Sequence, residues 1–452
     1  MNRRFLALGL TALLAGTLAW AQFGRDFGSE LLDDPTGQAL VQTYGALKSN
    51  YLTDVDDEVL LRGAIEGMLE SLDDPFSYYL EPRSAAREAQ DRTGSFEGIG
   101  AVLTPLNRQT GKGVEILQVY AGGPASQAGV QRGDIFLEVD GVDVRDATTS
   151  DVVDLVRGPR GTVVELLMRR PGAGDTVTFA IERDTIEIVD VASTVLDDGV
   201  GYLTIRQFGS QRVHEQLVDE LAELRERGAT SLVLDLRDNP GGLLTQGILV
   251  ADEFLSDGDI VFQRARGVTQ RIASADPAAN DLPMVVLVNK NSASASEIVA
   301  GALQENGRAT VVGESTYGKG VAQSVLSLAD GGQLAFTSFE WLTPARETIA
   351  QQGITPDVYA DDARYPNTIS VEGRGADPGQ VVEIMIDGEV VGSATADDDG
   401  EFDFVTTGPR PEISPVQGEA IVDLASDPAL QTAVETLLGG VVANGAASGA
   451  AD

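Results

Sequence analysis

The sequence predicts a multidomain chain of mixed class, part α+β and part layered α/β. Helices come first, and a small β-module is inserted near the C-terminus. Three observations predict this. The 452 residues exceed what one hydrophobic core ordinarily holds, which calls for two to four domains. Between Thr93 and Asp184, short apolar runs are separated by glycine turns. From Thr185 to Asp362, apolar runs alternate with helical patterns, the texture of a layered core.

Composition narrows the chemistry. An apolar fraction of 42% with 51 glycines and 18 prolines is globular and turn-rich. A net charge of −38 gives a soluble surface and opposes nucleic acid or an anionic membrane as partner. There is no cysteine, hence no thiol nucleophile, disulfide or thiolate metal site. The one histidine, His214, excludes HExxH-type and multi-histidine metal sites. It lies in a helical pattern whose apolar stripe is Val213, Leu217, Leu221 and Leu224, as an ordinary boundary residue would. If the chain is a hydrolase, its base is expected not to be histidine. No cofactor and no metal is expected.

Residues 1–21 carry Arg3 and Arg4, an apolar run from Phe5, and Ala19-Trp20-Ala21. This is the pattern of a secretory signal cleaved after Ala21. The run is short against the ~20 apolar residues of a membrane span. The protein is therefore expected in a bacterial periplasm or cell envelope, membrane-tethered if the signal is kept.

Residues 22–92 read as helical. Leu61, Ile65, Met68, Leu69 and Leu72 recur at helical spacing, with Asp56 and Asp57 near the first turn. Two such helices cannot bury their stripes alone, so they are expected to pack on a neighbouring domain or a second copy.

Residues 93–184 contain FEGIGAV, AGGPASQAGVQRGDIFLEVDG and VRGPRGT, with about five strands and two helices. This segment resembles a PDZ domain. Its carboxylate loop would be Gly98, Ile99, Gly100 and Ala101. The glycines let successive backbone N–H groups converge on a peptide's terminal carboxylate while the next strand edge pairs with the peptide.

Residues 185–362 hold the strands of GVGYLTIRQF, SLVLDLR, MVVLVNK, ATVVGE and QLAFTSFEWLT, alternating with helices. Residues 363–412 alternate apolar and polar positions between turns at Asp387-Gly388 and Asp399-Gly400, as a spacer or docking module would. Residues 413–452 give a last short helix, DPALQTAVETLLGG, and an Ala/Gly/Ser tail after Val442.

The chemistry concentrates between Asn289 and Gln323. Ser294 and Glu297 form the capping box S-x-x-E, which accounts for both without any enzyme. The box does not account for serine also at Ser292 and Ser296. A serine nucleophile at this helix start would have the Ala295 N–H and the helix dipole at hand for an oxyanion. Lys319, between Gly318 and Gly320, reads equally as a base buried by close backbone packing or as a surface lysine in a turn. Gln323 lies four positions on. A direct bond between the two is easier if the segment coils, because an extended one separates the Cα atoms by ~13 Å. Asn239-Pro240-Gly241-Gly242 ends a β-rich run and offers a second oxyanion donor. Asp235 and Asp238 there fit turn, ion-pair or catalytic roles alike.

Taken in order, GAIEGMLESLDDPFSYYL, FEGIGAV, the PDZ segment, LDLRDNPGG, NKNSASASEIVAGALQENGRATVVGE, YGKGVAQ and QGITPDV resemble the carboxy-terminal processing proteases. These tail-specific proteases, the S41 peptidase family, are serine peptidases. The motifs cover Tyr44 to Val358. The resemblance implies a ClpP/crotonase-like protease core with Ser294 as nucleophile, Lys319 as base and Gln323 orienting the lysine. Oxyanion donors would be the N–H of Ala295 and of Gly241 or Gly242. It implies protein or peptide C-terminal tails as partners, and a homodimer through N- and C-terminal helices. Pro344-Ala345-Arg346-Glu347 departs from the family's glycine-containing turn, and the β-module stands where relatives pass to the last helix. The competing reading is a catalytically inactive PDZ-containing scaffold of the cell envelope. A third, an acyl-CoA-handling enzyme, lacks a recognisable nucleotide pocket.

Overall fold

The computed structural model describes residues 28–107, 110–120, 122–170, 176–277, 280–362, 369–377, 380–386, 389–397, 400–406 and 424–439. The export signal, the Asp387-Gly388 turn, Asp399 and the tail after Val442 lie outside them. Among the described residues no helix is long and apolar enough to cross a membrane. The chain forms two compact units. One takes the residues up to Leu80 with Val325–Phe336; the other takes Glu81–Ser324 and the chain from Thr337.

In the first unit, α1 (Pro35–Asn50) starts where Asp34 Oδ1 accepts the Thr36 N–H at 2.7 Å. Asp56 does the same for α2 (Asp57–Glu70), accepting from Glu58 N–H at 2.8 Å. Tyr44 Oη donates to Asp57 Oδ1 at 2.9 Å, joining the helices. Their apolar stripes are not covered: α2 has no buried residue, and Leu61, Met68 and Leu72 are all more than half exposed. Strand β1 (Tyr78–Leu80) pairs antiparallel with residues 333–335.

The second unit begins with α3 (Pro82–Asp91) and β2 (Ser95–Gly98). Six strands then make one sheet: β3 (Ala101–Pro105), β4 (Val114–Val119), β5 (Ile135–Val139), β6 (Val142–Asp143), β7 (Val163–Arg169) and β8 (Thr176–Glu182). The order is β3-β4-β5-β7-β8, with β6 on β5, which leaves β3 at an edge. Helix α4 (Pro124–Ala128) and helix α5 (Thr149–Val156) complete it. Along β7 the alternation is plain: Val164, Leu166 and Met168 are buried while Val163, Glu165 and Arg169 are exposed. Strand β9 (Asp184–Glu187) pairs with β2 in a separate ribbon around Phe96, Ile186 and Ile188.

The core that follows is a six-stranded sheet, β10 (Val191–Val195), β11 (Val200–Ile205), β12 (Ser231–Asp235), β15 (Met284–Val288), β16 (Thr310–Gly313) and β19 (Val358–Tyr359). Only β10 runs antiparallel. Between β12 and β15 lies the hairpin β13 (Asp259–Ala265) and β14 (Val268–Ser274), which the apolar pattern does not announce. Leu232, Leu234, Val286 and Val288 point to one face, covered by α6 (Val213–Glu226), α7 (Leu244–Phe254) and α8 (Ala295–Glu305). Val233, Val285 and Leu287 point to the other, covered by Ala429, Leu430 and Ala433 of α9 (Pro428–Gly439). A sheet covered on both faces explains why these strands read as unbroken apolar runs.

The C-terminal helix packs its Ala429, Leu430 and Ala433 face on the chain's own sheet and leaves Leu438 half exposed. Strand β17 (Val321–Ser327) and β18 (Gln333–Leu342) follow the Gly318-Lys319-Gly320 turn. The inserted module forms two antiparallel pairs. Strand β20 (Ile369–Arg374) pairs with β23 (Glu401–Thr406), and between them β21 (Val381–Ile386) pairs with β22 (Glu389–Thr395).

Leu217 of α6 is 0% exposed in the main core. Leu217→Ala should cost about 2–5 kcal/mol of that unit's stability. The measurement is a lower urea midpoint with the slope of the transition unchanged.

Candidate active site

Four loops leave the carboxyl ends of parallel strands and converge. After β12 come Leu236 to Gly242; after β15, Asn289 to Ser294; after β16, Glu314 to Lys319; after β11, Arg206 to Ser210. Backbone bonds lock them together. Ala293 N–H donates to Asn239 O at 2.9 Å, Tyr317 N–H to Ser292 O at 3.0 Å, and Phe208 N–H to Gly241 O at 2.7 Å.

The outer serines of SASAS are fasteners. Ser292 and Ser296 are both 0% exposed; their hydroxyls donate to Leu236 O at 2.8 Å and to Asn239 O at 3.0 Å. Ser294 between them is only half-buried and has φ 55° and ψ −113°, a conformation that non-glycine residues seldom adopt. Such strain costs on the order of 1–3 kcal/mol and persists only where the surroundings impose it.

Here the surroundings include Gly241. With φ 92°, its Cα lies so close to this turn that a Cβ would stand 2.6 Å from Ala293 O, 2.7 Å from Ser294 Cβ and 2.8 Å from Ala295 N. The Gly241 N–H is already given to Asn239 Oδ1 at 2.9 Å. The Gly242 N–H and the Ala295 N–H have no acceptor among the described residues. Of the two glycines, Gly242 is therefore the one with a donor to spare.

Glu297 joins the serine to the lysine. Its carboxylate is 0% exposed and accepts from Ser294 N–H at 2.7 Å, Thr316 Oγ1 at 2.6 Å, Gly318 N–H at 2.7 Å and Lys319 N–H at 3.0 Å. The glutamate half of the capping box is made, the Glu297 N–H itself going to the Ser294 backbone oxygen at 2.9 Å, and the same carboxylate also organises the loop that carries Lys319. Thr316 is a residue that sequence reasoning missed, and nothing in the pattern around it marks it.

The glycines flanking Lys319 do permit close packing. A Cβ on Gly318 would meet Gln351 N and Gln352 N at 2.9 Å, and one on Gly320 would meet Ala350 N at 3.0 Å. Lys319 itself is half-buried. Its Nζ donates to Gln323 Oε1 at 3.0 Å even though Gln323 lies on extended β17. The segment does not coil, because the lysine sits in the turn ahead of the strand and its long side chain makes up the distance. Trp341, also missed, donates Nε1–H to Lys319 O at 2.8 Å and its backbone N–H to Gly320 O at 3.0 Å.

Asp235 and Asp238 are not brought into this cluster as free carboxylates. Asp235 is paired with buried Arg237, and Asp238 occupies a turn at φ 59° held by Asn289 and Asn291. His214 Nε2 lies 3.2 Å from Glu253 Oε2, between α6 and α7, as a boundary residue does. No cluster of histidine, cysteine or acidic side chains fit for a metal occurs among the described residues.

In the PDZ-like sheet, Gly98, Ile99 and Gly100 are buried, and Ala101 opens the edge strand β3. The carbonyls of Ile99 and Gly100 accept from Ala125 N–H at 2.8 Å and Tyr120 N–H at 2.9 Å. Their own N–H groups have no acceptor among the described residues, and Gly100 has φ 76°. The loop thus presents donors at the start of an open strand edge.

Burial raises the pKa of Glu297, against the lowering by its hydrogen bonds. Unfolded, the carboxyl titrates near its ordinary 4.5; folded, it titrates higher. The native state therefore binds the proton more tightly in between, and this contribution to stability is lost as pH rises through that window. Urea midpoints from about pH 4 to about pH 8 should show parent stability falling relative to Glu297→Gln, then levelling. A difference that grows with pH would contradict a buried, desolvated carboxylate.

Residues 199–360 match the model of peptidase family S41, residues 115–170 a PDZ domain, and residues 29–84 the N-terminal domain of the activating protease CtpB. The chain is 36% identical over 367 residues to the carboxy-terminal processing protease CtpA of Bacillus subtilis, covering 80% of this chain and 78% of that one. It is 41% identical over 300 residues to a carboxyl-terminal-processing protease of Synechocystis, covering 65% and 69%. A solved photosystem II D1 C-terminal processing protease is 34% identical over 73% of this chain and 88% of that one, with a TM-score of 0.45. The chain belongs to the carboxy-terminal processing proteases of peptidase family S41.

Proposed function

We propose that the protein is an exported serine endopeptidase that captures C-terminal tails through its PDZ domain and cuts them with a Ser294–Lys319 dyad. The observation that carries this reading is the Glu297 carboxylate. It holds the Ser294 N–H and the Lys319 N–H at 2.7 and 3.0 Å, although the two residues are 25 positions apart (319 − 294).

Neutral Lys319 accepts the Ser294 hydroxyl proton as Oγ attacks the scissile carbonyl. The tetrahedral oxyanion receives the Ala295 and Gly242 N–H groups, the latter chosen because Gly241 already serves Asn239. The intermediate collapses, and the Lys319 ammonium returns the proton to the leaving amine. Water then gives a proton to neutral Lys319 and attacks the ester, and the Lys319 ammonium returns that proton to Ser294 Oγ as the carboxylic acid leaves. Gln323 accepts from Nζ and so turns the amine's remaining valences toward the serine.

The substrate's terminal carboxylate binds the N–H groups of Ile99 and Gly100, and its backbone extends along β3 from Ala101, beside α5. The signal-like pattern of residues 1–21 supports a location in a periplasm or cell envelope. The uncovered stripes of α1 and α2 join it to a second copy.

The test uses the full-length protein and an unfolded substrate with a free apolar C-terminus. Ser294→Ala should reduce cleavage to background, and Lys319→Ala should lower kcat by ~10²–10⁴-fold. Amidating the substrate terminus should lower kcat/KM more than kcat. Undiminished cleavage by either variant would overturn the dyad, and a parent protein that cleaves nothing would return the chain to the class of peptide-binding scaffolds.

A further inference from the structure

Behind the site lies a second buried charge cluster, which the reaction above does not use. Arg237, 1% exposed, stands one residue before the Asp238–Gly242 loop. It is held from three parts of the chain. Asp235, two residues back, accepts from Nε at 3.0 Å and from one terminal nitrogen at 2.6 Å. Asp427 accepts from both terminal nitrogens, at 2.9 and 2.8 Å. Asp362 accepts a longer bond at 3.4 Å.

Asp427 is the residue just ahead of α9, and the same Oδ1 that meets Arg237 accepts the Leu430 N–H at 3.0 Å. Asp362 also accepts from Asn289 Nδ2 at 2.8 Å. Asn289 in turn bonds Asp238 in both directions, at 2.9 Å each way. The inserted β-module thus runs between two carboxylates that meet one guanidinium.

We propose that Asp427 is a positioning residue for the reaction: by clamping Arg237 it fixes the loop that presents the Gly242 N–H. A bidentate carboxylate pair constrains a guanidinium in plane and direction. Removing the charge of Asp427 leaves Asp235 and Asp362 to balance the cation but takes away the paired anionic anchor on its two terminal nitrogens, so the guanidinium is free to turn. Its backbone is the stem of the loop, and Gly241 has no room to shift without striking Ser294. This rests on the serine-peptidase reading of Ser294.

Asp427→Asn separates positioning from folding, because asparagine also caps helices but cannot offer two anionic oxygens to the guanidinium. The full-length variant should lose ~10²-fold in kcat, the scale of a small misplacement at a reacting centre, with KM within about threefold of the parent. A peptide aldehyde, which forms a tetrahedral adduct on the nucleophile, should lose affinity in parallel with kcat/KM. Leu217→Ala, destabilised far from Arg237, should keep the parent kcat well below its melting range.

Parent kcat in Asp427→Asn, or a loss confined to KM, overturns the proposal. So does an equal kcat loss in Leu217→Ala. If Ser294→Ala binds the aldehyde as tightly as the parent does, the nucleophile assignment itself fails.

Discussion

The buried carboxylate of Glu297 is the constraint on which the rest of the site depends. Among the described residues no cation is bonded to it, so its solvation comes from four hydrogen-bond donors on two separate stretches of chain. A buried charge that loses a donor is penalised far more than a neutral group would be. The loop carrying the serine and the loop carrying the lysine are therefore not free to drift apart. What begins as an ordinary helix cap becomes the common reference for both.

Compression from the opposite side completes the geometry. Gly241 lies against Ser294 and Ala295, while a Cβ on Gly242 would meet the Phe208 carbonyl oxygen at 2.4 Å. Ser292 and Ser296 tie the same turn to the strand end beneath it. Strain at Ser294 is sustained because every neighbour of the turn is fixed by a backbone or hydroxyl bond. Small residues alternate along SASAS because larger ones could not enter this space.

Much of this was legible in the sequence, and the rest was hidden for physical reasons. The strands of the core announced themselves as apolar runs; the serine and the lysine stand on loops, and the glutamine on the strand β17 that follows. A pattern cannot say which helix covers which face, however, so α9 was read as a terminal appendage rather than as the cover of Val233, Val285 and Leu287. The β13–β14 hairpin escaped because much of β14 is exposed and polar. The stripe of α2 was read correctly as apolar, yet it is not buried within the chain. The Lys319–Gln323 spacing left open whether the segment coils; it is extended, and side-chain reach makes the bond. Arg237 and Asp427, 190 positions apart, meet by folding alone.

The two buried charge clusters solve the same problem in opposite ways. Glu297 is stabilised by neutral dipoles, three backbone N–H groups and the Thr316 hydroxyl, so one carboxylate can hold the Ser294 and Lys319 stretches together. Arg237 is stabilised by carboxylates, which suits a position behind the strand, where charge compensation costs the reaction nothing. This division also explains how the core accommodates a β-module between Asp362 and Asp427. Both ends of the insertion are held at one guanidinium, so the intervening chain can vary in length and shape while the carboxylates it connects stay in place. On the positioning proposed for Asp427, the loop that presents the Gly242 N–H depends on how the insertion is rooted.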